Sequence, residues 1–331
     1  MDELPVGKLT ARVAASVTEW ATTYPYLQSA RIPPLAGLFA AAAPSAAPDA
    51  LATLARVSLW VFAVDDLFDS QTLQVPQLER FTAACTAMLA DRHKYPLRAS
   101  SPTDPSTVPV LTPPAHALLD LQVNVRADTA QYPLFTPLAD LWNDGIATML
   151  NSMLDEARWA RAYQLGGPAA LPGLPQYLRS GCLSIGSRPH LRTVLVTLGD
   201  ASALHHLSFL FRLEKEVSLV CRLANDLRSQ AREAGEGTVN AVLILEQQAL
   251  ARGLPPPAAL EAAQQAVQRR LDRHLARCAQ MSRHPVTTTG QPEAVFARTA
   301  VLAAALYRKT DFLRPPTECQ PARGWRCAAE P

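Results

Sequence analysis

Two acidic segments of the sequence carry residue types that bind hard metal ions. The first is the string DDLFD at positions 65–69, in which Asp65 and Asp69 are four residues apart. Residues with this spacing lie on the same face of a helix, so the two carboxylates form a pair. An apolar run at 57–64 precedes them. Carboxylates at the end of a buried helix require a countercharge, because an unpaired ion is costly in apolar surroundings.

The second segment is the string NDLRSQARE at positions 225–233, preceded by another apolar run at 217–224. Its oxygen-bearing residues Asn225, Ser229 and Glu233 recur every four residues and form one stripe, about 12 Å long, along a helix. Oxygen ligands without histidine or cysteine indicate Mg²⁺, which usually shares its coordination shell with water and substrate phosphates. The two segments together predict a magnesium-dependent site for a diphosphate. Two ordinary solvated acidic faces would not explain the apolar runs.

These strings resemble the signature of class I terpene synthases, the Mg²⁺-dependent cyclases of isoprenoid diphosphates. DDLFD matches the aspartate-rich motif DDxxD of the family, and NDLRSQARE matches its partner motif NDxxSxxxE at every defined position. The resemblance implies three magnesium ions when the substrate is bound. One group would be held by Asp65 and Asp69, and the other by Asn225, Ser229 and Glu233.

The whole chain is predicted to be α-helical, because helix-like segments alternate with proline-marked turns and no run of alternating β-branched residues predicts a sheet. The resemblance, which extends from about Trp60 to Phe312, implies a single-domain class I terpenoid synthase α-helical bundle around a central active-site cavity. We assign this domain to residues 1–314. The tail at 315–331 either stays irregular or caps the site, and the proline-rich stretch at 102–114 is predicted to be a surface loop. Helices are expected near residues 9–22, 49–68, 75–91, 114–128, 135–163, 173–186, 191–208, 209–234, 237–253, 257–281 and 292–312.

Composition and charge exclude several other classes of protein. A net charge of +2 without a basic run argues against nucleic-acid binding, and the apolar runs are shorter than the ~18 residues of a membrane span. Residues 1–8 lack the basic and apolar parts of a secretory signal. The six cysteines form no CxxC or Cys/His cluster, which is typical of buried thiols in a reducing compartment. We therefore expect a cytoplasmic protein whose partner is an isoprenoid diphosphate, with neither nucleic acid nor a membrane span, and a homodimer is left open.

Two arginines near the second motif are candidates for binding the diphosphate. Arg232 occupies the position where the family usually has a basic residue that contacts diphosphate oxygens, and the alternative is a helix pair with Glu236. Arg179 lies 46 positions before Asn225, where many bacterial relatives have a diphosphate-sensing arginine. The residues that follow Arg179 differ from those of the relatives, so a surface position is the alternative.

Further candidates rest on partial matches to the family. Near the C-terminus, many bacterial relatives have an Arg-Tyr pair, which is inverted here. Tyr307 would be a hydroxyl donor or part of the pocket wall, and Arg308 would contact a phosphate. Gly186 is a candidate for a helix break that presents a backbone carbonyl to a cation. The string GTVN at 237–240 resembles the family's Gly-x-x-Asn, for which we expect a role in capping and packing.

The implied reaction is ionisation of an allylic diphosphate rather than acid–base hydrolysis. The carbocation that remains would be held in an apolar cavity, where aromatic rings stabilise positive charge. The role of Asp66 is left open between the metal and an outer water or arginine. Ordinary core packing is the alternative for every candidate of the cavity wall. These candidates are bulky residues at apolar helical positions together with one glycine: Trp60, Phe62, Phe135, Trp142, Met149, Trp159, Gly186 and Phe211.

Two other functions are alternatives to that of a cyclase. A chain-elongating prenyltransferase usually repeats the aspartate-rich motif and has an Arg-Arg pair soon after the first copy, and residues 70–74 contain no such pair. A non-catalytic isoprenoid-binding helical protein would be expected to lack a ligand, and none is missing. For the substrate, the string SIGSRP at 184–189 resembles bacterial diterpene cyclases and favours geranylgeranyl diphosphate. Farnesyl diphosphate and a pre-cyclised bicyclic diphosphate remain as alternatives.

Overall fold

The computed structural model describes residues 5–70, 73–90 and 111–309, and within these ranges the chain forms helices and no β-strand. The predicted all-α fold is therefore confirmed. The predicted tail at 315–331, the boundary at 314 and most of the predicted loop at 102–114 lie outside the described residues. Three short 3-10 turns lie at Ser29–Arg31, Gly167–Ala170 and Ala201–His205. The α-helices of the described ranges are α1 (Val6–Ala21), α2 (Ile32–Ala42), α3 (Pro48–Asp69), α4 (Val75–Ala90), α5 (Pro113–Thr129), α6 (Phe135–Gly166), α7 (Leu174–Ser184), α8 (Ser187–Leu198), α9 (Leu207–Glu236), α10 (Ala241–Ala251), α11 (Pro256–Ser282) and α12 (Gln291–Lys309).

Helix α2 is absent from the sequence prediction. Its first turn contains Pro33 and Pro34. Proline is tolerated in a first helical turn because the N–H groups there have no intrahelical acceptor. The helix buries Leu35 and Phe39 in the core. Burial of these side chains stabilises a segment whose prolines alone would not predict a helix.

The helix predicted at 191–208 is wrong in its second half. Helix α8 ends at Leu198 because Gly199 adopts a left-handed conformation with a φ of 73°. Asp200 then starts a 3-10 turn, in which its carboxylate accepts a hydrogen bond from the backbone N–H of Ser202 at 3.0 Å. The long helix α9 begins only at Leu207.

Helices α3 and α9, which carry the two acidic strings, lie at the centre of the bundle. Helix α9 packs against α7, α8, α10, α11 and α12, and α3 packs against α1, α2, α5 and α8. Helix α6 packs against α3, α4, α7 and α8. Helices α3 and α9 are therefore covered by neighbouring helices on several sides. Among the described residues, no helix combines the length and the apolar character that crossing a membrane requires.

Candidate active site

Residues of both acidic strings line one cavity. Asp65 and Asp69 line it from α3, and Asn225 and Glu233 line it from α9. The bundle thus brings together two motifs that are far apart in the sequence. Ser229 is buried on the same helix behind the lining, and its Oγ donates a hydrogen bond to the backbone carbonyl of Asn225 at 2.8 Å.

Negative charge is crowded in this cavity. Burial, followed by repulsion from Asp66, raises the pKa of Asp65 to about 7. Desolvation by the surrounding protein and repulsion from Asp65 and Glu233 raise the pKa of Asp69 well above its usual value. Because the side chain of Asp69 is exposed to solvent, we attribute its raised pKa chiefly to repulsion from the neighbouring carboxylates rather than to desolvation. Carboxylates that resist ionisation in this way favour the binding of a cation.

Glu156 of α6 also lines the cavity, although no motif of the sequence singles it out. Its carboxylate accepts a hydrogen bond from Ser184 Oγ at 2.7 Å and forms an ion pair with Arg222 at 3.4 Å. Burial raises the pKa of Glu156, while Arg222 opposes this shift. Glu156 therefore adds a further carboxylate between the two motifs.

Arg222 is a second residue that the sequence prediction missed. It lies on α9 one turn before Asn225, lines the cavity and is only 6% exposed. Burial alone would lower its pKa, but Asp226 and Glu156 raise the pKa well above its usual value, so the guanidinium is charged. A signal was present, because an arginine inside an otherwise apolar run must be paired when it is buried.

Helix α7 provides the surface on which Arg222 lies. The guanidinium carbon is 5.1 Å from the centroid of the Tyr177 ring. A Cβ atom at Gly181 would lie 3.2 Å from Cδ of Arg222, so a glycine at this position leaves room for the arginine side chain. The hydroxyl of Tyr177 donates to Asp226 Oδ1 at 2.8 Å, which completes the support of the arginine.

Neither Arg179 nor Arg308 lines the cavity in this structure. Arg179 is exposed on α7, whose inward face carries Tyr177 and Gly181, because residues two positions apart on a helix point in nearly opposite directions. Arg308 is exposed and lines a separate groove between α9, α11 and α12. Its neighbour Tyr307 is buried and lines the central cavity.

Arg232 lines the cavity and also forms the helix pair that was the alternative to a diphosphate contact. It lines the cavity beside Glu233, with 3.6 Å between its Nη2 and Oε1 of that residue. It also forms the helix pair with Glu236, in which Nη1 donates at 2.7 Å. Arg232 is therefore a partly exposed cation at the cavity mouth.

Asp66 has an arginine as its partner. Its two carboxylate oxygens accept hydrogen bonds from Nη1 and Nη2 of Arg31 at 2.9 and 2.8 Å, and Gln28 donates to Oδ2 at 2.8 Å. Arg31 is buried, and its guanidinium lies 5.0 Å from the ring centroid of Phe62. This bidentate pair fastens the segment before α2 to the acidic end of α3.

The string GTVN closes the other side of the site. Gly237 ends α9 with a φ of 71°, and Asn240 caps α10 by accepting a hydrogen bond from the backbone N–H of Leu243 at 3.0 Å. The side chain of Asn240 also donates to Glu233 Oε2 at 2.9 Å. The cap therefore fixes the orientation of a candidate metal ligand.

Phe62 and Gly186 are the wall candidates that line the cavity. Gly186 lies at the break between α7 and α8 with a φ of 74°. A Cβ atom there would lie 2.3 Å from Cγ1 of Val61, so only glycine allows this close approach to α3.

The other six wall candidates do not line the cavity, and they lie on helix faces that pack against neighbouring helices. Apolar side chains that the sequence missed line the cavity in their place, among them Phe39 of the unpredicted helix α2 and Met153, one turn after Met149. Each of these six side chains packs against residues outside the cavity or behind its wall. Trp60 contacts Leu118, Phe135 contacts Trp142, Trp142 contacts Thr193, Met149 lies beneath Gly186, Trp159 lies near Tyr177, and Phe211 lies near Arg192.

The donor set of the cavity fits a hard divalent cation, because the two motifs offer only carboxylate, amide and hydroxyl oxygens. Within residues 5–70, 73–90 and 111–309, no three Asp, Glu, His or Cys side chains are close enough to hold an ion by themselves. An ion between α3 and α9 would therefore need oxygen atoms from Asn225, Ser229, water or a bound ligand as well.

The sequence and the fold resemble known proteins. The family model of terpene synthase family 2, C-terminal metal binding, matches residues 56–273, and the chain belongs to this family. No curated protein matches the sequence significantly.

Solved structures of terpene synthases share the fold. Isoprene synthase from leaves of grey poplar (Populus x canescens) is 17% identical with a TM-score of 0.66 over 90% of this chain and 53% of that chain. The same enzyme in complex with three Mg²⁺ ions and dimethylallyl-S-thiolodiphosphate is 16% identical with a TM-score of 0.68 over 92% of this chain and 55% of that chain. The present chain thus spans about half the length of isoprene synthase. A variant of the SVS_A2 protein from ancestral sequence reconstruction is 19% identical with a TM-score of 0.67 over 94% of this chain and 86% of that chain.

Proposed function

We propose that this protein is a Mg²⁺-dependent class I terpene synthase, which ionises an isoprenoid diphosphate, cyclises the carbocation and releases diphosphate. One observation carries the proposal: Asp65 and Asp69 on α3 face the same cavity as Asn225 and Glu233 on α9. Membership of the terpene synthase family supports it, and so does the isoprene synthase structure that contains three Mg²⁺ ions with a diphosphate analogue.

Asp65 and Asp69 would hold one group of magnesium ions, and Asn225, Ser229 and Glu233 the other, with three ions in the loaded site. Magnesium supplies positive charge that stabilises the departing diphosphate. The raised pKa values of Asp65 and Asp69 support this role, because a cation relieves the repulsion that raises them.

Arg222 and Arg232 are the arginines that line the cavity, and we assign diphosphate binding to them, with Tyr307 as a hydroxyl donor. Arg222 takes the part that the sequence prediction gave to Arg179. Its ion pairs with Glu156 and Asp226 hold a charged guanidinium in place before any substrate enters. Such preorganised charge is more effective than charge that must first be brought in.

Geranylgeranyl diphosphate is the proposed substrate, with farnesyl diphosphate and a pre-cyclised bicyclic diphosphate as alternatives. The resemblance of the string SIGSRP at 184–189 to bacterial diterpene cyclases supports this choice, and Ser184, Gly186 and Ser187 of the string line the cavity. The proposal also includes a cytoplasmic location. A chain-elongating prenyltransferase finds no support in the second motif, where Asn225 and Ser229 stand in place of aspartates.

The test is incubation of the purified protein and Mg²⁺ with linear diphosphates of ten, fifteen, twenty and twenty-five carbons and with bicyclic diphosphates. Released diphosphate and volatile products are measured separately. We expect cyclic products from the twenty-carbon substrate, and loss of diphosphate release in Asp65→Ala, in Glu233→Ala and after removal of Mg²⁺. Full release by either variant would refute the proposed function. Conversion of the fifteen-carbon substrate alone would refute the choice of substrate.

A further inference from the structure

A histidine lines the apolar part of the cavity. His190 lies on α8 with 7% of its surface exposed, and its ring stacks on Phe39 of α2 with 4.5 Å between the centroids and 24° between the planes. Neither residue belongs to a motif of the sequence.

The position of His190 relative to the acidic strings follows from helix α3. Ser58 Oγ and His190 Nδ1 share a hydrogen bond of 3.2 Å. Ser58 precedes Asp65 by two helical turns, which corresponds to about 10 Å along the helix axis. If the diphosphate binds at Asp65, the imidazole lies beside the hydrocarbon part of the substrate and away from the charged end.

His190 is neutral at physiological pH, because burial among apolar side chains lowers its pKa to about 4. Its Nδ1 atom is occupied by Ser58, whereas Nε2 has no hydrogen-bond partner among the described residues. Nε2 is not fully buried, and because His190 lines the cavity, this atom is accessible from the cavity. We assign His190 the tautomer in which Nδ1–H donates to Ser58 Oγ, which leaves the lone pair of Nε2 directed into the cavity.

We propose that Nε2 of His190 takes the proton that ends the carbocation reaction. The inference rests on the proposed function. The electron pair of a C–H bond next to the cationic carbon becomes the π bond of an alkene, and the proton forms a bond to Nε2. The imidazolium keeps the positive charge until the proton passes to solvent or to the released diphosphate. The Phe39 ring beside it stabilises this charge for the short time that it exists.

Other groups of the cavity are less suited to this step. Asp65, Asp69 and Glu233 lie at the end that is assigned to the metal, and Glu156 is paired with Arg222. Burial raises the pKa of the Cys221 thiol to about 12, so no thiolate is present at neutral pH. Within the described lining, His190 is the neutral nitrogen base.

The inference is tested with His190→Ala and added imidazole. We expect the variant to keep releasing diphosphate, while the share of the wild-type alkene among its products falls about tenfold or more. Imidazole should restore this share. Pyrrole, which has a similar shape but no basic nitrogen, should not restore it. An effect of cavity shape alone would be relieved equally by both molecules, and that result would overturn the inference.

Two further variants complete the experiment. Ser58→Ala keeps the imidazole and removes the partner of Nδ1, so the share of the wild-type alkene should fall by a smaller factor, about threefold. An unchanged product mixture in Ser58→Ala would contradict the inference, even if His190→Ala did not fold. His284 is exposed, and His284→Ala should leave products and the response to imidazole unchanged. A wild-type product that is only an alcohol would also overturn the inference, whereas absence of diphosphate release by the wild type would overturn the proposed function itself.

Discussion

Arg222 donates a hydrogen bond from Nε to Asp226 Oδ1 at 2.9 Å, one helical turn away on α9. Asp226 is fully buried, and its other oxygen accepts the backbone N–H of Ala241 at 3.2 Å. The aspartate of the second acidic string therefore anchors an arginine and the start of α10. The cavity side of the string is left to Asn225 and Glu233.

The first prediction compares the arginine that lines the cavity with the arginine that the sequence favoured. Arg222→Ala should lower the rate of diphosphate release about 100-fold, because a preorganised charge at the leaving group is lost. Arg179→Ala should leave the rate unchanged, since its side chain is exposed on the outer face of α7. The measurement is kcat for diphosphate release, with circular dichroism to verify folding. Equal losses in the two variants would contradict the assignment, and Arg222→Lys serves as a variant that keeps the charge.

The second prediction concerns the break between α7 and α8. Gly186→Ala should reduce the free energy of unfolding by about 3 kcal/mol, because it combines a left-handed backbone with a collision against Val61. Gly199 is the matched control, with a φ of 73° and no atom within 4 Å of an added Cβ. Gly199→Ala should therefore cost only about 1 kcal/mol. Urea unfolding measures both values, and the double variant Val61→Ala with Gly186→Ala should recover part of the loss.

The third prediction concerns the pair of Arg31 and Asp66. Asp66→Ala should reduce the free energy of unfolding by about 2 kcal/mol, since it leaves a buried guanidinium without its carboxylate. Asp66 itself is partly exposed, which limits the effect. The exposed pair of Arg158 and Glu79 is the control, and Glu79→Ala should change stability by less than about 0.5 kcal/mol. Similar effects of the two variants in urea unfolding would show that the pair of Arg31 and Asp66 does not anchor α3.

The fourth prediction tests the neutral state of His190 by pH. In the unfolded chain a histidine binds a proton near pH 6.5, whereas the native His190 has a pKa of about 4. Between these values the unfolded state binds more protons, so native stability falls as the pH falls, by about 1.4 kcal/mol per unit from this group. Wild type should therefore lose stability more steeply than His190→Gln between pH 6.5 and 4. Parallel curves would indicate that His190 is not buried as a neutral base, and His284→Gln, at an exposed position, should follow the wild type.

The sequence determined the donor set of this protein. The four-residue intervals between Asp65 and Asp69, and from Asn225 to Glu233, place oxygen atoms on one face of each helix whatever the rest of the fold is, because helix geometry is local. The all-α class follows from the same local periodicity, together with proline-marked turns. The partner of Asp66 was open in the sequence between the metal, an outer water and an arginine, and in the fold Asp66 pairs with Arg31.

Only the tertiary structure decided which side chains surround these donors. Arg179 and Arg222 both lie on helical segments that precede Asn225 in the sequence. The packing of α7 against α9 leaves Arg179 exposed and buries Arg222. Phe39 and His190 meet because α2, which its prolines concealed in the sequence, packs beside α8 around the cavity. Periodicity shows that a helix has an apolar face, but the neighbours that the face meets depend on contacts between residues distant in the chain, which no local pattern encodes.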